Sequence, residues 1–156
     1  MIHTPPLISG LFNTGAHVLV VCTGNICRSP AAEILLREHN VFGTNAVIES
    51  AGTGAVVGAP IDPPMCEILD QVGDWDTKTH RARHITTEMI AQADVIITMS
   101  TKQRSQVLAK DPQAIDKVFT LVELSHLVRI FGASKSIGEL HALRSQLPRL
   151  LTLDIA

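Results

Sequence analysis

The sequence predicts a single α/β domain with a parallel sheet that helices cover on both faces. At 156 residues the chain is long enough for one domain with a hydrophobic core, and 46% of its residues are apolar. Four short runs of apolar and mostly β-branched residues alternate with stretches that carry helix-start signals. Strands and helices that alternate in this way form βαβ units, in which successive strands lie parallel.

The first strand is predicted after an N-terminal arm. Residues 1–16 hold two prolines, two glycines and no clear apolar period, so we expect an arm that is flexible or vector-derived. The domain is then expected to comprise residues 17–156. Its first six residues, 17–22 (HVLVVC), form a continuous apolar run, which is typical of a buried strand.

A helix is predicted after this strand and a six-residue turn. Ser29 is a preferred N-cap residue and Pro30 suits the first helical position, so the helix should run to about residue 40. The other strands are predicted at residues 46–50, 94–99 and 117–121. The other helices are predicted at residues 63–73 after Asp62, to residue 92 after Thr86 or Thr87, at residues 101–109, and beyond residue 121.

The composition excludes several classes of partner. The formal net charge is −2, so the chain has no large basic field to attract nucleic acid or an anionic membrane. No apolar run approaches the roughly 20 residues that span a bilayer. Three cysteines do not make a disulfide framework, and we therefore expect a cytoplasmic protein without nucleic-acid or membrane partners.

Cys22 and Arg28 flank five residues between the predicted first strand and first helix. The N-terminus of a helix offers unpaired N–H groups and a partial positive charge, and a loop around it can aim successive N–H groups at one phosphate. Gly24 can take backbone angles that other residues resist, and Arg28 carries a planar fork that matches two phosphoryl oxygens. The segment therefore predicts a phosphate-binding loop.

Cys22 is the candidate nucleophile of this loop. The field of the helix end favours its thiolate form, and a thiolate beside a bound phosphoryl group attacks to form a phosphocysteine. Ser29 can donate a hydrogen bond to this thiolate or to the loop. The alternative is a buried strand cysteine and an unrelated surface arginine, since Cys-x5-Arg alone is common by chance. The position between a buried strand and a helix start favours catalysis.

A longer segment, residues 21–33 (VCTGNICRSPAAE), resembles the signature of the low-molecular-weight protein tyrosine phosphatases. The likeness covers about residues 17–125 and continues in the family's order. Its further motifs are 49–53 (ESAGT), Asp62-Pro63, 80–83 (HRAR), Ala93-Asp94 and 119–121 (FTL). The resemblance implies an open sheet of four parallel strands and a hydrolase that acts on phosphotyrosine-containing proteins or peptides.

The resemblance also implies roles for individual residues. Catalysis is assigned to Cys22, Arg28 and Ser29. Binding of phosphate or another oxyanion is assigned to Thr23, Gly24, Asn25, Ile26, Cys27 and Arg28. A network that supports the loop is assigned to Asn25, Ser50 and His80. No metal and no other cofactor is implied.

The family's general acid, an Asp in an Asp-Pro pair near the C-terminus, has no clear counterpart here. Neither Asp62-Pro63 nor Asp111-Pro112 is placed for that role, which leaves the acid unknown and Asp154 as a weak candidate. We expect either that the natural protein continues past Ala156 with the acid loop, or that the acid is lost. In the second case the chain is a phosphate-binding module with little turnover. The aromatic that often lines the family's substrate cleft is also replaced, by residues 55–57 (AVV).

Two related activities use the same fold. Thioredoxin-coupled arsenate reductases resemble the family but have two further cysteines near the third strand, where residues 99–105 here hold none. Cys66 lies instead on an earlier predicted helix. Protein arginine phosphatases have Thr in place of Ile26, and an apolar residue at this position favours the ring of phosphotyrosine.

A zinc site is a further alternative, because Cys22-x4-Cys27 and His80-x3-His84 are pairs of metal-ligating residues. The two pairs are more than fifty residues apart, whereas about a dozen residues separate those of a zinc finger. We therefore expect no metal.

Cys22 and Cys27 also predict redox sensitivity. A thiolate that peroxide oxidises to sulfenic acid can be trapped as a disulfide by a neighbouring thiol. We expect reversible inactivation through a Cys22–Cys27 bond. The alternative is that Cys27 only packs the loop.

Overall fold

A computed structural model describes residues 15–132 and 134–149 of the chain. The strands are β1 (His17–Cys22), β2 (Val47–Gly52), β3 (Val95–Thr98) and β4 (Val118–Thr120). The helices are α1 (Arg28–Glu38), α2 (Pro63–Val72), α3 (Thr87–Gln92), α4 (Thr101–Lys110), α5 (Leu121–Phe131) and α6 (Ile137–Leu143). Two short 3-10 helices span Pro112–Asp116 and Arg144–Gln146. Asp154 and most of the N-terminal arm lie outside the described residues.

The four strands form one sheet in the order β2-β1-β3-β4, and every neighbouring pair is parallel. In the register, Val18 of β1 lies beside Ile48 of β2 on one side and Val95 of β3 on the other. This confirms the predicted open parallel sheet. Because all strands point the same way, the loops that follow them meet at one edge of the sheet.

Helices pack on both faces of the sheet, as predicted. The alternating side chains of β1 separate two apolar clusters, with Val18 and Val20 in one and Leu19 and Val21 in the other. The first cluster also holds buried residues of α5 and α6, namely Leu124, Leu127, Ile137 and Leu140. The second holds Ile90 of α3 and Val107 of α4. The two clusters fix β1, and hence the end of β1, in the centre of the molecule.

Three predicted boundaries differ from the structure in detail. The first helix begins at Arg28, with Cys27 rather than Ser29 at its N-cap and no side-chain cap. The hydroxyl of Ser29 is engaged elsewhere and cannot cap the helix. The second strand extends to Gly52, two residues past its predicted end. Ala16, a residue of the predicted arm, is buried, and its carbonyl accepts a hydrogen bond from the N–H of Val47.

Among residues 15–132 and 134–149, no helix has the length and apolarity that a bilayer crossing requires.

Candidate active site

The predicted phosphate-binding loop joins the end of β1 to the start of α1. Cys22 is the last residue of β1 and is 2% exposed, whereas Arg28 is the first residue of α1 and is exposed. Strand and helix together thus place a buried sulfur and a solvent-facing guanidinium at opposite ends of one tight loop. This is the edge of the sheet at which all four strands end.

The left-handed turn of this loop falls on Asn25 and not on Gly24. Asn25 has φ of 57°, and Gly24 is absent from the positive-φ residues of the described chain. A Cβ at Gly24 would meet the Ile26 side chain at 3.4 Å, an ordinary contact. The prediction that Gly24 supplies the unusual backbone angle is therefore wrong. Asn tolerates this conformation better than most residues, and its N–H donates to the Sγ of Cys22 at 3.3 Å.

Several N–H groups of the loop are available to an anion. In the described part of the chain, the N–H groups of Gly24, Ile26, Cys27 and Arg28 have no protein acceptor. The last of them belongs to the first turn of α1, where helix N–H groups are unpaired by geometry. Such a set suits the oxygens of a phosphoryl group.

A directed chain of hydrogen bonds ends on Cys22. The N–H of Arg83 donates to Oδ1 of Asn25 at 2.9 Å, which identifies the opposite atom of that amide as the nitrogen. Nδ2 of Asn25 then donates to the hydroxyls of Ser29 and Ser50, at 2.8 and 3.0 Å. Oγ of Ser29 lies 2.9 Å from Sγ of Cys22. Because that oxygen already accepts from Asn25, its own proton is available to the sulfur.

The side chain of His80 supports the same loop by bonding to the backbone of Asn25. Its Nε2 lies 2.7 Å from the carbonyl oxygen of Asn25, so this nitrogen carries the proton and donates. The structure thus brings together Asn25, Ser50 and His80, the three residues to which the resemblance assigned loop support. Asn25 and Ser50 are buried, which strengthens the demand that their polar atoms be paired.

Arg83 is a part of the network that the sequence reasoning missed. Its Nε donates to the carbonyl oxygen of Ser50 at 3.0 Å, and its guanidinium pairs with Glu49 at 3.1 Å. Its own carbonyl accepts from the N–H of Gly52 at 2.9 Å. Arg83 stands in the HRAR motif that carried the resemblance, but nothing in the spacing of that motif indicates contacts with β2.

The loop after β2 braces the phosphate-binding loop through its backbone. Four N–H···O bonds join the two segments at 2.7–3.0 Å, from Thr53 to Cys22, Gly54 to Thr23, Val56 to Gly24 and Asp62 to Ile26. The approach is close enough that a Cβ on Gly52 would lie 2.3 Å from the carbonyl oxygen of Thr23. The two segments therefore form a single unit.

The two Asp-Pro pairs lie at different places. Asp111 follows the last residue of α4, and its carboxylate accepts from the N–H of Gln113. A ten-residue helix is about 15 Å long, so Asp111 is near the edge of the sheet opposite the loop. Asp62 is closer, because its N–H donates to Ile26, and it precedes the first residue of α2.

Cys27 and Cys66 lie at different places in the fold. Cys27 is half-buried in the loop, and Cys66 on α2 donates to the carbonyl of Ile61 at 3.7 Å. Among the described residues, no three His, Cys, Asp or Glu side chains are grouped so as to hold a metal ion.

Comparisons with known proteins show which sequences this chain is similar to. Residues 17–129 match the family model described as Low molecular weight phosphotyrosine protein phosphatase. The probable low molecular weight protein-tyrosine-phosphatase EpsP of Ralstonia solanacearum is 41% identical over 107 residues, which cover 69% of this chain and 71% of the relative. The corresponding enzyme Wzb of Escherichia coli is 35% identical over 102 residues, with 65% and 67% covered.

Two solved structures extend the likeness to the fold. The Erwinia amylovora tyrosine phosphatase amsI superposes with a TM-score of 0.65 at 29% identity, covering 89% of this chain and 92% of that one. The YwlE arginine phosphatase from Geobacillus stearothermophilus has a TM-score of 0.64 at 28% identity, with 88% of both chains covered.

Proposed function

Because the chain belongs to the low molecular weight phosphotyrosine protein phosphatase family, we propose that it hydrolyses phosphotyrosine in proteins or peptides with Cys22 as the nucleophile. The observation that carries this assignment is the hydrogen bond between Ser29 and Cys22, whose direction Asn25 sets. A hydroxyl proton that points at sulfur stabilises a thiolate. A merely structural buried cysteine gains little from such a donor.

The reaction proceeds in two displacements. Sγ of Cys22 attacks phosphorus as the bond between phosphorus and the tyrosine oxygen breaks, and the leaving oxygen takes up a proton. The product is a phosphocysteine. Water then attacks its phosphorus, the S–P bond breaks, and inorganic phosphate leaves while Cys22 returns to the thiolate. Ser29 donates to the sulfur when it is anionic, before the first step and after the second.

Arg28 and the loop N–H groups bind the three oxygens that do not react. The guanidinium of Arg28 is exposed at the start of α1 and can form two parallel bonds to a phosphoryl group. The free N–H groups of the loop add donors that need no rearrangement during the reaction. These donors hold phosphorus next to Cys22, which lies at the base of the loop.

We infer that a carboxylic acid supplies the proton for the leaving oxygen. Asp154 is the weak candidate from the sequence, and it lies outside the described residues. Asp62 has its backbone tied to the loop and stands at the N-cap position of α2, where its side chain makes no capping hydrogen bond.

A phosphotyrosine substrate is favoured over phosphoarginine by the apolar rim of the loop. Ile26 is half-buried, and a Cβ on Gly24 would contact the side chains of both Ile26 and Val56, at 3.4 and 3.8 Å. Val56 is 51% exposed, and the next residue in the chain, Val57, is 73% exposed. Aliphatic side chains pack against an aromatic ring, whereas a guanidinium requires polar partners. Hydrolysis of phosphoarginine is the second candidate activity, because one of the similar solved structures is an arginine phosphatase. Arsenate reduction is disfavoured, because β3 and α4 carry no cysteine.

The test compares two cysteine variants. Cys22→Ser should abolish turnover of p-nitrophenyl phosphate and keep affinity for orthovanadate, because Arg28 and the N–H groups are unchanged. Cys66→Ser is the matched control and should keep both. Residual activity above a few per cent in Cys22→Ser would exclude Cys22 as the nucleophile. A wild-type chain that binds vanadate without turnover would instead be a phosphate-binding module.

A further inference from the structure

Gln103, in the first turn of α4, contacts the phosphate-binding loop from the flank of β1 that faces β3. The support network contacts the loop from the opposite flank, which faces β2. Gln103 is 2% exposed, and both ends of its amide are paired. Oε1 accepts from the N–H of Met99 at 2.9 Å, and Nε2 donates to Oγ1 of Thr23 at 3.2 Å. The N–H of Met99 can only donate, so the amide oxygen must face it and the NH₂ group must face Thr23.

The loop is anchored unequally on its two sides. β1 lies between β2 and β3, so the loop after it has neighbours on both flanks. On the β2 side it bonds to the residues described above: Ser50, Thr53, Gly54, Val56, Asp62, His80 and Arg83. Among the described residues, the bond from Gln103 to Thr23 is the single hydrogen bond between residues 23–28 and the β3–α4 side.

We propose that Gln103 is a positioning residue of the phosphate-binding loop that acts through the hydroxyl of Thr23, an inference that rests on the proposed function. A cradle of N–H groups binds an oxyanion well only when its geometry is held in advance. Thr23 begins the loop directly after Cys22. Without its bond to Gln103, the loop is held from one flank only, and its first residue gains freedom that oxyanion binding must then remove.

One substitution of Gln103 can remove its hydrogen bond to Thr23 without leaving another buried polar group unpaired. Gln103→Met has similar length and removes the donor to Thr23. The N–H of Met99 keeps a second acceptor, the carbonyl of Val21 at 3.0 Å, and so stays paired. Gln106, exposed on the same helix, provides the matched control Gln106→Met. On the other side of the bond, Thr23→Val removes the hydroxyl and keeps the shape, and Thr23→Ser keeps the hydroxyl.

The experiment measures orthovanadate binding by titration calorimetry, alongside kcat and KM for p-nitrophenyl phosphate. Gln103→Met and Thr23→Val should each weaken vanadate binding and raise KM by about two- to tenfold, the worth of one neutral hydrogen bond. The double variant should be no weaker than either single one, since both remove the same bond. Thr23→Ser should recover most of the affinity that Thr23→Val loses, and Gln106→Met should bind as wild type does.

Additive losses in the double variant, or unchanged vanadate affinity in both single variants, would overturn the inference. A lower melting temperature of Gln103→Met with unchanged affinity would show a purely structural role. If Gln103→Met does not fold, the comparison of Thr23→Val with Thr23→Ser decides, because Thr23 is exposed. Failure of the proposed function has a different signature, since wild type would then not hydrolyse the ester, whether or not it binds vanadate.

Discussion

The side-chain nitrogen of Asn25 lies 2.8 Å from the hydroxyl oxygen of Ser29, and this contact decides where the hydroxyl proton of Ser29 goes. With its oxygen occupied as an acceptor, Ser29 directs that proton to Cys22, 2.9 Å away. Asn25 performs this task while its backbone occupies the left-handed region. Asn25 therefore sets both the path of the loop and the hydrogen-bond donor of the Cys22 sulfur.

Ser29→Ala should lower kcat for p-nitrophenyl phosphate by about 10- to 100-fold, because a hydrogen bond to a charged group is worth about 1.5–3 kcal/mol. The rate at which iodoacetate alkylates Cys22 should fall in parallel, since the thiolate loses its donor. Ser105→Ala, on the exposed face of α4, is the control and should change neither rate. Equal alkylation rates in Ser29→Ala and wild type would mean that Ser29 does not act on the sulfur.

Arg28→Lys should reduce kcat/KM by at least about tenfold and weaken vanadate binding, although the positive charge is kept. The physical reason is the loss of the planar fork, which a single ammonium group cannot replace. Arg149→Lys, at an exposed position near the end of the described chain, is the matched control. A near-normal affinity for vanadate in Arg28→Lys would show that the guanidinium does not clasp the phosphoryl group.

The 156-residue chain should hydrolyse p-nitrophenyl phosphate much faster than phosphotyrosine peptides. A tyrosine phenolate, with a pKa near 10 in solution, needs a proton donor more than nitrophenolate does, and general acid catalysis contributes about 10²–10⁴-fold. A series of aryl phosphates with graded leaving groups measures this dependence. A shallow slope would reveal an acid within the chain, and Asp154→Asn and Asp62→Asn would then identify it.

Peroxide should inactivate the enzyme reversibly, with a Cys22–Cys27 disulfide detectable by mass spectrometry after tryptic digestion. Cys22 is buried and Cys27 is half-buried five residues later in the same loop, so we expect the thiol of Cys27 to reach a sulfenic acid on Cys22. Cys27→Ala should recover less activity with dithiothreitol than wild type, whereas Cys66→Ala should recover as wild type does. If Cys27→Ala recovers its full activity with dithiothreitol, Cys27 does not protect Cys22 and only packs in the loop.

Much of the fold was predictable because its signals are local. The apolar run of β1 and the Thr86 side-chain cap of α3 are visible in a few neighbouring residues, and the structure has both. Ser29 misled the same reasoning, because the residue type that caps helices also serves as a donor inside a site. Propensity alone cannot distinguish these uses when the deciding partner, Asn25, is itself in an uncommon conformation.

From the residues alone, the site was predictable where one segment carries it. Of the parts that the fold assembles, Ser50 and His80 were indicated only by the family resemblance. The positions of Cys22 and Arg28 follow from a single strand, loop and helix. Arg83 and Gln103 reach that loop from segments 58 and 80 residues away from their partners Asn25 and Thr23. No sequence pattern relates such distant residues. Their contacts depend on the strand order, which brings the ends of β2 and β3 to the two sides of β1.

The close packing at Gly52 has a genetic consequence. The atom that a side chain at this position would strike, at 2.3 Å, is the backbone oxygen of Thr23, which has no rotamer to swing aside. Any substitution of Gly52 must push the end of β2 and the loop after it away from the phosphate-binding loop. Alleles with such a substitution should score as loss of function in a complementation screen even though they alter no atom that meets the substrate.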